Sequence, residues 1–291
     1  MLARGLAAGL FVLLAGCSMA PVPEHGGSAR GYLEVETLAP LDRAVSETSG
    51  LAVHEGRLWT LNDSGNGPYL YALAGGRVTD RVRVGNAVNI DWESMAQDEQ
   101  YLYVADCGNN SGRRQWFQLY RIAWSDLLAA RDEVDSTHIE FRLADPSVRN
   151  GHQDHDNDCE AIARVGDDIW LLTKGWASGR SRLYRLDPSL PQQSVTAVAE
   201  WPVQGLITAL DYSPQRQQLA LLGYTLGRFS SEAFIWLVPV RDGEPRWAAA
   251  RRHTLWPSGQ WEGVLWQGDE LLLTRESSLL GAARIGRVRM N

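Results

Sequence analysis

Long helical periodicity is almost absent from this sequence, no apolar run in its body is long enough to cross a bilayer, and only three of its 291 residues are cysteine. Each shortage excludes something. Without extended amphipathic stretches, a helical bundle or coiled coil is ruled out. Only residues 125–134 (SDLLAARDEV) have a helical pattern, with Ser125 placed to cap it. Three cysteines cannot supply a disulfide-dense scaffold. Positive charge is also short: the formal net charge is −7, which argues against nucleic acid or an anionic membrane surface as a partner.

What is present begins with a targeting segment. Arg4 supplies a charge, residues 6–14 a short apolar run, and LAGC (14–17) a small-residue cleavage site ending in cysteine. LAGC resembles the lipobox of bacterial lipoproteins. That resemblance implies cleavage after residue 16, lipidation of Cys17 and export to the cell envelope. Ser18 after the cysteine implies passage to the outer membrane, with the membrane contacted through the lipid at Cys17; of the two faces open to it, the periplasmic is preferred to the cell surface. Residues 17–30, rich in Pro, Gly and Ser, read as a flexible tether, and 31–291 as one domain. Cys107 and Cys159 then remain in an oxidising space, where a disulfide between them and two separate buried thiols are both open readings.

The domain carries an internal repeat. TSGLAVHEGRLWTLND (48–63), WESMAQDEQYLYVAD (92–106), CEAIARVGDDIWLLTK (159–174), ITALDYSPQRQQLALLGY (207–224) and WEGVLWQGDELLLTRE (261–276) share one plan. Each has a small residue, a short apolar start, a turn, and an apolar strand ending in polar residues. A third strand follows every unit, and a fourth follows the first four, as in THIEFRL (137–143) and SVTAVAEW (194–201). The fifth unit has no fourth strand of its own, while YLEVETLAPL (32–41) is a spare strand ahead of the first. An unpaired sheet edge is costly, so the spare strand closes the ring. The fold expected is all-β, a five-bladed β-propeller closed by its N-terminal strand. A six-bladed ring is the alternative, because the second and third units stand unusually far apart.

In a propeller the innermost strand of each blade lines a central channel. The repeat then brings Ser49, Glu93, Glu160, Thr208 and Glu262 to one mouth of that channel. Three carboxylates crowded together must take up protons or hold a cation, and an all-oxygen donor set suits Ca²⁺. The acidic stretch GHQDHDNDCE (151–160) therefore contributes Glu160, and its other acids belong to a loop. An EF-hand beginning at Asp154 fails, since Cys159 stands where glycine is needed and Val165 where glutamate is needed. His152 and His155 would bind zinc only with partners from elsewhere.

SGLAVHEGRLWTLND, DWESMAQDEQYLYVAD and QWEGVLWQ resemble the calcium-activated nucleotidases (soluble apyrases). The resemblance implies five blades around a central Ca²⁺ held by one side chain per blade, at Ser49, Glu93, Glu160, Thr208 and Glu262. NDSGN, NIDWE, DCGNN and NDCEA are similar to motifs of a bacterial envelope propeller family without a settled function.

Around the expected ion, loops after the second strands carry Asn62, Asp63, Asp106, Asn109, Lys174, Arg228 and Arg275, with Trp176 able to stack on a ring. Basic groups beside a cation in an acidic protein favour an anionic small molecule or an envelope partner. Three functions stay open. A calcium-dependent binding protein comes first. A Ca²⁺-dependent phosphoanhydride or phosphoester hydrolase is second, with Asp63 or Asp106 orienting water and Lys174 and Arg275 holding phosphate. A glycosidase or lactonase-type enzyme using Glu93, Glu160 and Glu262 is third.

Overall fold

A computed structural model describes residues 31–146, 151–225, 232–278 and 281–290. Cys17 and Arg228 lie outside the described residues. Five small sheets form a closed ring, so the chain is a five-bladed β-propeller, and the interval that suggested a sixth blade holds a helix, edge strands and the acidic loop.

The innermost strands are Thr48–His54, Trp92–Gln97, Asp158–Val165, Leu206–Ser213 and Trp261–Gln267. Each lies beside the next around the axis, and the last returns to the first. Next outward come Arg57–Asn62, Tyr101–Asp106, Asp168–Lys174, Gln218–Thr225 and Glu270–Arg275, antiparallel to their inner neighbours. These second strands are continuously apolar (LWTL, LYVA, IWLLT, LALL, LLLT) because both their faces are covered by neighbouring blades. At the rim, alternation returns: Val82 and Val84 in Arg77–Val84, and Ile139 and Phe141 in Thr137–Leu143, are buried with a more exposed residue between them.

The core is correspondingly a set of slabs between blades. Trp59, Trp92, Met95 and Trp124 pack between blades one and two, and Phe117, Phe141, Ile162 and Tyr184 between two and three. Trp170, Trp201, Phe234 and Trp236 fill the third slab, and Trp261, Trp266, Ile235 and Leu273 the fourth. The slab that closes the ring is smaller, built from Val45, Tyr71, Leu73 and Ile285 with Leu51, Leu265 and Leu272.

The N-terminal segment closes the ring in two pieces. Glu36–Pro40 pairs antiparallel with Arg284–Arg289 and completes blade five, with Arg287 bound to Glu36 at 2.9 Å. Gly31–Glu34 instead runs parallel to Arg251–Trp256, the outer strand of blade four. One ribbon thus ties two blades together. Two other segments do the same. Glu133–Val134 adds a parallel edge to blade one, and Gln192–Val195 adds one to blade two. The latter corrects the expectation of a single strand over 194–201: only Ala199–Trp201 belongs to blade three. Each crossing covers an edge that would otherwise offer free backbone groups.

The helix spans Trp124–Ala129, shorter than expected, and Ala123 occupies the N-cap position, with Ser125 inside the first turn. Trp124 sets this register by burying its ring in the first slab and donating its indole N–H to Asp98 O at 3.1 Å.

Candidate active site at the channel mouth

Five β-bulges build the site. In every inner strand one residue drops out of the ladder: between Thr48 and Gly50, Trp92 and Ser94, Cys159 and Ala161, Ile207 and Ala209, and Trp261 and Gly263. The residues skipped are Ser49, Glu93, Glu160, Thr208 and Glu262. A bulge re-aims its side chain away from the pleat, and five at one level gather these residues at the same end of the channel. Small residues follow each bulge (Gly50, Ser94, Ala161, Ala209, Gly263), leaving room for the strands to approach. A Cβ on Gly50 would lie 2.9 Å from Met95 N in the next blade.

The two hydroxyls of this ring join blades. Ser49 Oγ donates to Glu93 O at 2.8 Å, and Thr208 Oγ1 donates to Trp261 O at 2.9 Å.

A second tier stands above the first, made in each second strand by the residue after the one that pairs with the last residue before the bulge: Asp63, Cys107, Lys174, Tyr224 and Glu276. In blade two the place is taken by a disulfide. Cys107 and Cys159 are bonded with Cα atoms 5.2 Å apart, which ties blade two to the residue preceding Glu160.

Together the tiers line a polar funnel of about 190 Å³ whose walls include Ser49, Asp63, Glu93, Glu160, Lys174, Trp176, Tyr224, Glu262 and Glu276. Lys174 is buried, and its Nζ lies 2.8 Å from Glu160 Oε1 and 5.3 Å from the centre of the Trp176 ring. Asp63, Asp91 and Glu93 place one carboxylate oxygen each within 4.8 Å of one another on the side of blades one and two. The bare Cα of Gly108 makes this possible, since a Cβ there would lie 2.3 Å from Glu93 Oε1 and 2.4 Å from Asp91 Oδ2.

Burial and mutual repulsion raise the acids. Desolvation, then Glu160 and Asp63, push Glu93 well above the carboxylate range, and desolvation does the same to Glu160 against the pull of Lys174. Desolvation takes Glu262 to about 8, Glu276 to about 7 and Asp91 to about 6, and it also raises Asp63. Burial opposes the Lys174 ammonium, but Glu160, Tyr224, Glu262 and Glu93 outweigh it and hold the group charged.

Other residues expected at the mouth turn elsewhere. Asp106 is fully buried, bound to Arg114 at 2.8 Å and to the amides of Ile90 and Asp91, so it anchors the loop that carries Asp91. Arg275 is buried beside Trp261 and donates to Ala282 O at 3.1 Å. Asn62 donates to Ala44 O, while Asn109 joins its loop to Asn157 O and receives the Arg114 amide. In a strand, neighbours point to opposite faces, so the residues one step on, Cys107 and Glu276, take the places expected for Asp106 and Arg275. Arg180 is paired with Glu200. The acids of the 151–160 loop also have structural partners: Asp158 accepts from Asn109 N and Trp176 Nε1, and Asp156 from the amides of Ala177 and Ser178. Trp92 and Trp261 are core residues. Asp91, Tyr224 and Glu276 were not expected. Asp91 sits in the NIDWE motif two residues before Glu93, and the other two become visible only when the second strands are aligned by pairing.

No family model matches the chain, and no curated protein is significantly similar to it in sequence. Solved structures are similar in fold. The catalytic domain of a GH62 α-L-arabinofuranosidase from Coprinopsis cinerea aligns with 90% of this chain and 97% of its own, at 10% identity and a TM-score of 0.51. A gluconolactonase from Xanthomonas campestris aligns over 87% and 88% at 13% identity and a TM-score of 0.44. Fold and site together define a five-bladed β-propeller with a carboxylate-lined channel mouth.

Proposed function

We propose that the channel mouth is a Ca²⁺ site in a lipid-anchored envelope protein, with Asp63, Asp91 and Glu93 as the ligands. The observation that carries this reading is the convergence of their three oxygens within 4.8 Å. Oxygen-only donors suit a hard cation, and the glycine cradle at Gly108 leaves the carboxylates space to turn inward. Six carboxyl groups (Asp63, Asp91, Glu93, Glu160, Glu262, Glu276) meet one ammonium in the funnel, and burial with mutual repulsion holds them above the ordinary carboxylate range. A bound divalent ion takes the place of such protons and offers open coordination positions to an acidic or hydroxyl-rich ligand arriving from the envelope.

Calorimetric titration of metal-free protein with Ca²⁺ tests the reading. Binding of about one ion is expected, with a melting temperature that rises on saturation. Asp91→Asn lowers the affinity by at least about ten-fold, which is the loss of roughly 1.4 kcal/mol expected when one charged ligand is removed. Absence of both heat and thermal shift in the wild type would refute it.

One observation favours a second reading, hydrolysis of a glycosidic or lactone bond. Glu262, held to about 8, keeps its proton at neutral pH and is set as a general acid, with Glu93 and Glu160 nearby. Turnover of aryl glycosides or lactones that Glu262→Gln abolishes would support it. Phosphoanhydride hydrolysis ranks lower, because Asp106 and Arg275 face away from the funnel.

A further inference from the structure

We infer that Lys174 takes the place of an axial metal ion: its ammonium is the resident cation of the ring Ser49, Glu93, Glu160, Thr208 and Glu262. Three independent features point the same way. The first is position, since Lys174 Nζ lies 2.8 Å from Glu160 Oε1 within the buried funnel that Glu93 and Glu262 also line. The second is choice of residue. Of the 28 basic residues in the chain, 27 are arginine and Lys174 is the one lysine. A guanidinium is a broad planar fork, whereas an ammonium is a compact point charge on a flexible stem and fits a narrow ring of oxygens as a metal ion would. The third is chemistry of the ring: Ser49 and Thr208 spend their protons on Glu93 O and Trp261 O, leaving hydroxyl lone pairs available to a central cation.

The consequence is a choice of cation and of place. A tethered ammonium cannot be removed by chelation, so the ring keeps a cation whatever the calcium level. A divalent ion is then kept off the axis, on the side of Asp63, Asp91 and Glu93. That last clause rests on the proposed function, whereas the axial part does not.

Replacing the lysine separates the two. Lys174→Met and Lys174→Gln leave the ring without its cation, and Ca²⁺ is expected to fill it. Calorimetry and elemental analysis should find one more ion per chain than in the wild type. That extra ion should survive Asp91→Asn and disappear with Glu160→Gln. In chelator both Lys174 variants should melt below the wild type, and millimolar Ca²⁺ should restore them. The wild type itself should melt cooperatively in chelator, and its one lysine should resist amine acylation until the protein is unfolded. Variants that bind no extra ion, or that stay destabilised in saturating Ca²⁺, would overturn the inference. A wild-type ion lost in Glu160→Gln but kept in Asp91→Asn would overturn it as well. If Asp91→Asn leaves calcium binding by the wild type unchanged but the Lys174 variants gain an axial ion, the off-axis site fails and the lysine substitution stands.

Discussion

Opening the Cys107–Cys159 bond should cost this propeller about 4 kcal/mol. The cysteines are 52 residues apart, and a loop of that length loses configurational entropy in the unfolded chain by about this amount when it is closed. In the folded chain the bond demands little, because both cysteines sit at strand ends that the blade geometry has already brought together, and both are fully buried. At roughly 2–4 °C per kcal/mol for a domain of this size, the melting temperature should fall by about 8–16 °C. The assay is a calorimetric melt of oxidised and reduced protein at matched scan rates, with free thiols counted after each run. Cys107→Ala/Cys159→Ala is the companion variant. Its deficit should match that of the reduced wild type to within about 1 kcal/mol, the difference being the volume of two sulfurs. A fully reduced, folded protein melting within about 2 °C of the oxidised form would show that the bond contributes little. The five inter-blade slabs would then restrict the chain enough without the covalent link.

Three other outcomes follow from single side chains. Gly108→Ala forces a methyl group against the carboxylates of Asp91 and Glu93, so a stability loss of about 1–3 kcal/mol and weaker calcium binding are expected from melts and titrations. Asp211, at the opposite mouth, accepts from Trp266 N at 2.6 Å and is raised to about 7 by burial. A carboxyl raised in the folded state stabilises below its unfolded value near 3.8 and loses that contribution as pH climbs through about 7. The stability lost between pH 5 and 8.5, read from melts at the two values, should therefore be smaller in Asp211→Asn than in the wild type by on the order of 2 kcal/mol. Cys17→Ala should abolish incorporation of labelled fatty acid, and equal labelling of both proteins would remove the lipid anchor from the proposal.

Much of this architecture was legible in the linear chain. Five copies of one strand–turn–strand plan, a surplus strand before the first and none after the last, imply five blades and a ring closed from the N-terminus, because each sheet must bury its faces and cover its edges. The same alignment placed Ser49, Glu93, Glu160, Thr208 and Glu262 at equivalent positions, and these are the five bulged residues at one end of the channel. What tertiary structure alone decided was direction. A strand has a period of two, so an uncertainty of a single residue at its end moves a side chain from the channel to the core. Asp106 and Arg275 fall on one side of that step, Glu276 on the other. The parallel edge strands Glu133–Val134 and Gln192–Val195 were equally hidden, since each pairs with a blade other than the one its sequence neighbours build. Lys174 illustrates the limit best: its sequence position marks it as a cation beside the channel mouth, available to an anionic ligand, and not as a partner of the ring. Its pairing with Glu160 is local to one hairpin of blade three, but the meeting of that pair with Glu93 and Glu262 exists only once three blades distant in sequence are brought around a common axis.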